Sequence, residues 1–159
     1  NMGSYVHAKW LADNDIPVDG MICLEMIGYF DEAKKSQDYP LGFLKLFYGN
    51  RGDYITVVSK FGRGKFARKF KRKMKKNKGI EAKSFQAPGK LPGIDFSDHL
   101  NYWKFGYSAV MITNTGFYRN KNYHHSTDQI KTLDIEKMTA VIQSTYGTVL
   151  HIAKSAPEN

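Results

Sequence analysis

The sequence lacks several features that would assign it to a class at once. It has one cysteine, Cys23, so it can form no internal disulfide, and the apolar run around that residue favours a buried, unreactive thiol. No apolar run approaches the ~20 residues that a membrane helix needs. No charged-then-apolar leader is visible, although Asn1 in place of an initiator methionine suggests that the start has been cut. These absences leave the location open between secreted or periplasmic and cytoplasmic.

Acidic residues are missing from one stretch, and that gap explains the charge of the whole chain. The formal net charge is +9, yet Lys60 to Lys78 alone contains eight Lys and three Arg and no Asp or Glu, and elsewhere the acids outnumber the bases. Phe66, Phe70 and Met74 recur at helical spacing and predict an amphipathic helix over Gly62 to Asn77 with a cationic outer face. Such a face could bind nucleic acid or an anionic membrane surface. No recognition element stands beside it, so we expect a solvated face and neither partner.

The length and the order of predicted elements indicate one α/β domain. The chain has 159 residues, of which 42% are hydrophobic and 14% aromatic, enough to bury a core. Helices alternate with short apolar strands, which predicts a mostly parallel or mixed sheet covered by helices on both faces. The predicted helices are Gly3 to Asn14 with Ser4 as N-cap, Gly62 to Asn77, Asp95 to Phe105, and Ile135 to Ala153 with Asp134 as N-cap. The predicted strands are Gly20 to Tyr29, Tyr54 to Val58, Ile80 to Phe85 and Ala109 to Thr113, and residues 155–159 should fray.

A polar loop, Phe117 to Asp134, is the segment richest in candidate functional residues. It contains Arg, Asn, Tyr, His and Asp side chains without helical or strand periodicity, and it follows the apolar strand Ala109 to Thr113. Open α/β sheets bind ligands at the carboxyl ends of their strands, where such loops lie. Taken singly, a histidine here, such as His124 or His125, is typical of a solvated surface. The presence of a carboxylate at the end of another apolar run favours a ligand site over a solvated surface loop.

Glu25 interrupts the apolar strand Gly20 to Tyr29 and therefore requires a partner. A buried carboxylate costs several kcal/mol unless it is neutralised, hydrogen-bonded, paired with a cation or bound to a metal. For Glu25 alone, a structural partner at the strand end is favoured among these. Asp98 has a simpler explanation: with Ser97 or Asp95 as the cap of a short helix, the helix dipole stabilises a negative charge in the first turn.

Several short motifs span nearly the whole chain. They are Met2 to Ser4, Leu24 to Tyr29, Ser97 to His99, Ala109 to Thr113 and Arg119 to His124, followed by Asp128 and Thr132 to Asp134. In this order they resemble the C-terminal half of the co-catalytic zinc aminopeptidases, which include bacterial leucyl aminopeptidases and glutamate carboxypeptidases and have glutaminyl cyclases as relatives. The resemblance implies a three-layer αβα fold over residues 1–154, incomplete relative to the family. It also implies hydrolysis of peptide bonds, usually at the N-terminal residue.

The resemblance implies two zinc ligands. Glu25 matches the family's Asp/Glu ligand and His124 matches its last ligand, and in the family they serve different ions of the zinc pair. His125 occupies a position that the family does not use for metal. Carboxylate and imidazole ligands make zinc a Lewis acid and lower the pKa of its water, which suits peptide hydrolysis.

Other positions in the matched motifs imply contacts around the metal. Tyr123 and Arg119 lie where substrate-contacting residues could sit, and either a Tyr or an Arg side chain can stabilise the oxyanion. We expect Tyr123 to act in catalysis, and Arg119 and Asn120 to bind substrate. Asp128 could orient a ligand or merely turn the loop, and Asp98 could act in a similar supporting way.

The chain departs from the family in what it lacks. The family's His-x-Asp motif, its bridging Asp and its Glu-Glu pair all precede the segment that begins here, and no His-x-Asp occurs in this chain. The first hypothesis is the C-terminal portion of a secreted or cytosolic zinc aminopeptidase. The alternative is a non-catalytic binding module that uses the basic helix at 60–78 on an anionic partner. The sequence upstream of Asn1 discriminates the two, because an initiator methionine directly before it would exclude the first.

The missing ligands set the expectations for the chain by itself. It should neither hydrolyse peptides nor bind zinc tightly, because catalytic zinc takes three protein ligands and a water, and Glu25 and His124 serve different ions. Any residual affinity would use Asp98, His99 or His125. A sheet without its upstream strands exposes an edge, so we expect self-association or domain swapping. In the whole protein, the expected partner is a peptide substrate.

Overall fold

Helices and strands alternate along the chain in the structure, a computed structural model that describes residues 3–62, 64–87 and 97–155. The helices are α1 (Gly3–Asp13), α2 (Lys45–Tyr48), α3 (Lys65–Met74), α4 (His99–Lys104) and α5 (Ile135–Ala153). The strands are β1 (Met21–Glu25), β2 (Ile55–Lys60), β3 (Ala82–Ala87) and β4 (Ala109–Thr113). The predicted α/β class is confirmed.

The described strands form one mixed sheet in the order β1, β4, β2, β3. β1 pairs with β4 in parallel, with Glu25 opposite Thr113, and β2 pairs with β3 in parallel. β2 runs antiparallel to β4, with Thr56 opposite Thr113. Because β1 and β4 are parallel, the segments that follow them both start at the same end of the sheet.

Helices cover both faces of the sheet and make three layers. On one face, α1 and α4 contribute Leu11 and Trp103 to a buried cluster. On the other face, α3 and α5 contribute Phe70, Met74 and Val141 to a second cluster. Phe70 and Met74 are both 0% exposed, and burying an apolar side chain of this size contributes about 2 kcal/mol. The predicted apolar face of the basic helix is therefore confirmed as core.

Backbone conformation shortens some predicted elements. β1 ends at Glu25 because the next residue, Met26, has φ 55°, in the left-handed region where a strand cannot continue. α3 begins only at Lys65 because Gly64 has φ 87°. β2 and β3 both extend further towards their carboxyl ends than predicted. β4 and α5 have the predicted bounds.

One of the predicted helix caps is present and another is replaced. Asp134 caps α5, since its Oδ1 accepts a hydrogen bond from the Lys137 backbone N–H at 2.9 Å. Ser4 lies inside α1, where its hydroxyl accepts from Asn101 Nδ2 at 2.9 Å. The predicted helix start at Asp95 and most of the tail at 155–159 lie outside the described residues. No described helix is long and apolar enough to cross a membrane.

Candidate functional site

Glu25, at the end of β1, has a serine as its partner. Ser97 Oγ donates to Glu25 Oε2 at 2.7 Å, and Cys23 Sγ lies 3.0 Å from the same serine oxygen. A hydroxyl carries one proton, so Ser97 donates to the carboxylate and accepts from the thiol. Burial raises the pKa of the Cys23 thiol, which favours the protonated form that this arrangement needs. Glu25 itself is only partly buried and keeps access to solvent.

Three residues near the carboxyl ends of β1 and β4 hold backbone angles that L-residues rarely adopt. Met26 has φ 55°, Thr115 has φ 75° and His124 has φ 62°. Such a conformation costs on the order of 1–3 kcal/mol and persists only where neighbours enforce it. Two hydrogen bonds do so here: Asn114 N donates to Met26 O at 2.7 Å, and Gln37 Nε2 donates to Thr115 Oγ1 at 2.9 Å. Strain of this kind is concentrated at ligand sites in proteins, so these residues favour a ligand site at this end of the sheet.

A small cavity of about 40 Å³ lies at the carboxyl ends of β1 and β4, and we call it the Glu25 cavity. Glu25 lines it from β1, and Tyr123 lines it from the loop after β4. Met111, Thr113 and Phe117 complete much of its wall. The structure therefore brings a carboxylate and a phenol from distant parts of the sequence to one place.

His124 lies beside this cavity. It is exposed, and its ring stacks on that of Tyr123 with centroids 3.9 Å apart and an interplanar angle of 15°. Imidazole and carboxylate are donor types that zinc takes. In the described parts of the chain, however, no group of three or more His, Cys, Asp or Glu side chains could hold a metal ion. The donor chemistry therefore suits zinc, but the described donors are too few for a complete site.

Arg119 occupies the interior rather than the cavity wall. Its side chain is 2% exposed, with Nε donating to Gln37 Oε1 at 2.8 Å and Nη1 donating to the Tyr54 carbonyl oxygen at 2.7 Å. A Cβ on Gly52 would lie 2.6 Å from Arg119 Cδ, so the backbone there approaches the side chain as only glycine allows. Burial lowers the pKa of the Arg119 guanidinium. These contacts leave no surface for a substrate. Arg119 instead connects the loop after β4 to the segment before β2 through its hydrogen bonds.

Asn120 also holds the loop together. It is 1% exposed, its Nδ2 donates to Asp128 Oδ1 at 3.1 Å, and its Oδ1 accepts from Asn122 N at 2.9 Å. Burial removes it from contact with a substrate in this conformation. Of the two roles predicted for Asp128, the bond to Asn120 supports the turn of the loop.

The start of α4 differs from its predicted capping. Asp98 is exposed at the N-cap position, and its side chain makes no capping hydrogen bond. Ser97 directs its hydroxyl to Glu25 instead of to the helix. His99 is 0% exposed and packs edge-on against Trp103, with ring centroids 4.5 Å apart. His99 is therefore a core residue, which accounts for it without a ligand.

Gln37 is a residue of this region that the sequence did not indicate. It is 0% exposed and contacts both Arg119 and the strained Thr115. In the sequence, a single glutamine in a polar loop between two strands is indistinguishable from a solvated surface side chain. Only its partners, far along the chain, show that it supports the site.

The fold is shared with aminopeptidase structures. The crystal structure of the Legionella pneumophila LapA aminopeptidase matches with a TM-score of 0.66 and 16% identity over 98% of this chain and 37% of that chain. A second crystal structure of LapA matches with a TM-score of 0.66 and 17% identity over 95% of this chain and 36% of that chain. At this identity the likeness establishes the fold, and the chain has an aminopeptidase-like fold.

A longer relative is similar in sequence. The uncharacterized protein YfbL of Escherichia coli (strain K12) is 44% identical over 153 residues, which cover 96% of this chain and 46% of YfbL. The chain therefore spans about half the length of this relative and less of LapA. No family model matches the chain. The expected fold is confirmed, while peptidase activity and the zinc ligands stay predictions.

Proposed function

We propose that this chain is part of a metal-dependent exopeptidase of the aminopeptidase type and forms one side of its substrate cleft. The observation that carries the proposal is the Glu25 cavity, which Glu25 and Tyr123 both line at the carboxyl ends of parallel strands. The aminopeptidase-like fold supports it. Because the chain spans 46% of YfbL, the remaining ligands and the general base are proposed to lie in the rest of a longer protein.

In this proposal, the residues in and beside the Glu25 cavity have separate tasks. Glu25 and His124 would each supply one ligand to a zinc pair, and bound zinc would supply a Lewis acid and a water of lowered pKa. Ser97 holds Glu25 in one orientation through its 2.7 Å hydrogen bond. The stack on His124 would restrain the Tyr123 ring, and the phenol would donate to the oxyanion of the substrate.

The test compares the gene product that contains this chain with the chain alone, on a panel of aminoacyl-arylamides with zinc present. The longer protein should hydrolyse them, and Glu25→Gln should reduce kcat by at least about 100-fold, because the amide keeps the shape of the side chain but is a poor ligand for zinc. The chain alone should show no turnover and no stoichiometric zinc after dialysis. Full activity of the Glu25→Gln protein would contradict the assigned role.

A second candidate function is a binding module for an anionic partner. Its support is the face of α3, where none of the described basic side chains forms an ion pair with another described residue. Burial and the neighbouring Lys75 and Arg68 lower the pKa of Lys71, which shows that like charges crowd this face. Duplex DNA binding with a log-log salt slope steeper than about −4 would support this function, because that slope requires several neutralised phosphates. We expect a shallower slope.

A further inference from the structure

Large apolar side chains are exposed on one side of α2. Leu46 is 85% exposed, Phe47 is 75% exposed, and Phe43, in the 3₁₀ helix Gly42–Leu44 just before α2, is 57% exposed. Residues spaced by three and four positions share a helix face, so these side chains form one apolar surface. Leu44, on the opposite side, is buried. Exposed apolar surface of this kind marks an interaction site more often than chance.

Hydrogen bonds attach α2 to the edge of the sheet. Tyr48 OH donates to the Ser84 carbonyl oxygen of β3 at 2.9 Å, and Lys83 Nζ donates to the Tyr48 carbonyl oxygen at 2.8 Å. β3 is an edge strand of the described sheet, at the opposite side from β1. The apolar surface of α2 therefore has a fixed position at the β3 edge.

An open groove of about 680 Å³ adjoins this surface, and we call it the edge groove. Phe47 lines it from α2, and Lys75 and Lys78 line it from the segment that follows α3. Both of these lysines are exposed, and neither forms an ion pair with another described residue. Glu81 also lines the groove, but its carboxylate lies 3.5 Å from Lys83 Nζ. The described residues therefore leave Lys75 and Lys78 unbalanced beside an apolar surface.

This arrangement supplies a recognition element that the sequence did not show beside the basic helix. The strand β2 separates α2 from α3 in the chain, so no local pattern joins the apolar residues of α2 to Lys75 and Lys78. The fold brings them together at the β3 edge. Apolar side chains flanked by lysines are the combination that holds amphipathic segments at the surface of an anionic bilayer.

We propose that α2 and the edge groove bind the surface of a bilayer that contains anionic lipid. Leu46 and Phe47 enter the boundary between headgroups and acyl chains, and Lys75 and Lys78 pair with the negative charges of the headgroups. The contact is peripheral, since no described helix is long and apolar enough to cross a membrane. The inference goes beyond the proposed peptidase function and does not depend on it.

Other occupants fit these observations less well. A second copy in a symmetric contact would bring the same lysines face to face, where like charges repel. Single-stranded nucleic acid would stack on Phe47 but gains nothing from Leu46, the most exposed apolar side chain of the surface. An apolar helix of a partner protein needs a hydrophobic groove, whereas the α2 side chains project into solvent.

The first test is flotation of this chain with vesicles of phosphatidylcholine alone or of equal parts phosphatidylcholine and phosphatidylserine. Flotation separates bound chain from self-associated chain, which does not float. The chain should float with the mixed vesicles only, and added salt should release it because screening weakens the lysine contacts. Binding to neither vesicle, equal binding to both, or tighter binding to a single-stranded oligonucleotide would overturn the proposal.

Paired variants locate the apolar part of the contact. Leu46→Ser with Phe47→Ser should lower the vesicle partition coefficient at least about tenfold, because two apolar side chains no longer enter the bilayer. Ile142→Ser with Tyr146→Ser changes an exposed apolar pair on α5 and should leave the coefficient unchanged. Circular dichroism checks that both proteins fold. Equal losses in the two pairs refute the assignment, and so does an α2 pair that abolishes self-association but still floats, which would identify a second copy as the occupant.

The lysines have a separate test that leaves the apolar surface intact. Lys75→Gln with Lys78→Gln should lower the partition coefficient about fivefold for each substitution, the effect of one basic residue near an anionic surface. Lys131→Gln with Lys154→Gln removes the same charge at exposed positions that do not line the groove, and it should have a clearly smaller effect. Equal losses would show that net charge drives binding without the edge groove, and the proposal would be wrong.

The last test places a probe on α2 in the longer gene product that contains this chain. The fluorescence of the Leu46→Trp protein should be quenched by mixed vesicles with brominated acyl chains, because bromine quenches an indole that it contacts. Tyr146→Trp, on α5, should add no quenching to that of the unmodified protein. If Leu46→Trp adds none either, another part of the protein covers α2 and the proposal fails. No measurement here depends on hydrolysis, so a failure of the proposed function is distinguishable from a failure of this inference.

Discussion

At the scale of single residues, Arg119 and Tyr123 lie in the same loop but have different environments. The Arg119 side chain is 2% exposed and donates to Gln37 and to Tyr54 O. Tyr123 is partly exposed and lines the Glu25 cavity. Both are polar residues of one motif, and the sequence offers no signal that one of them turns inward. The two should therefore respond differently to mutation.

Substitution of Arg119 should affect folding. Arg119→Met should lower the free energy of unfolding by about 3 kcal/mol. The substitution leaves two buried acceptors, Gln37 Oε1 and the Tyr54 backbone carbonyl oxygen, without a donor. Urea unfolding followed by circular dichroism measures this. Arg68→Met, at an exposed position on α3, is the control and should change stability by less than about 0.5 kcal/mol. Equal stability of the two variants would show that the Arg119 contacts do not stabilise the fold.

The buried phenols should make the fold sensitive to alkali. Burial raises the pKa of Tyr54 above its ordinary value, so the unfolded chain ionises first, at about pH 10. The stabilisation is present below that pH and is lost as the pH rises towards the folded-state pKa. In urea titrations between pH 9 and 11, Tyr54→Phe should show a shallower fall of stability with pH than the unmodified chain. Tyr146→Phe, which changes a 64% exposed residue, should show the original fall, and identical falls in all three proteins would refute this account.

At the scale of elements, α3 combines a buried apolar stripe with a solvated basic face. Phe70→Ala should lower the free energy of unfolding by about 3–5 kcal/mol, because Phe70 is 0% exposed and its removal leaves a cavity under the helix. Lys76→Ala, just after the helix and exposed, should change it by less than about 0.5 kcal/mol. Thermal and urea unfolding report both values. A small effect of Phe70→Ala would mean that α3 is not packed on the sheet in solution.

The sequence predicted elements better than it predicted contacts. Ala109 to Thr113 and Ile135 to Ala153 were predictable in full, because an apolar run and a capped amphipathic pattern are local signals. The end of β1 was not predictable, since a methionine at position 26 gives no indication of a backbone φ of 55°. The Ser97 bond to Glu25 joins two segments across the fold, and only the assembled sheet brings them together.

At the scale of the whole molecule, β1 is an edge of the described sheet, and Leu24 on it is 48% exposed. An apolar edge strand offers unpaired backbone groups to a second copy, so we expect the chain by itself to self-associate. Leu24→Lys should shift sedimentation towards the monomer, because a charge on an edge strand opposes pairing. Leu150→Lys, at a 39% exposed position on α5, should leave the distribution unchanged. A monomer at all concentrations would contradict the expectation.

The central claim is that the end of the sheet around Glu25 and Tyr123 forms part of a metallopeptidase site, and two adjacent histidines test it most directly. His124 and His125 are both exposed and have the same chemistry, but only His124 stacks on Tyr123. Aminopeptidase turnover and bound zinc should be measured in the longer gene product carrying His124→Ala or His125→Ala. We predict that His124→Ala loses at least about 100-fold in kcat and part of its zinc, while His125→Ala stays within about threefold of the unmodified protein. Equal effects of the two substitutions, or an active His124→Ala protein with its full zinc content, would contradict the claim.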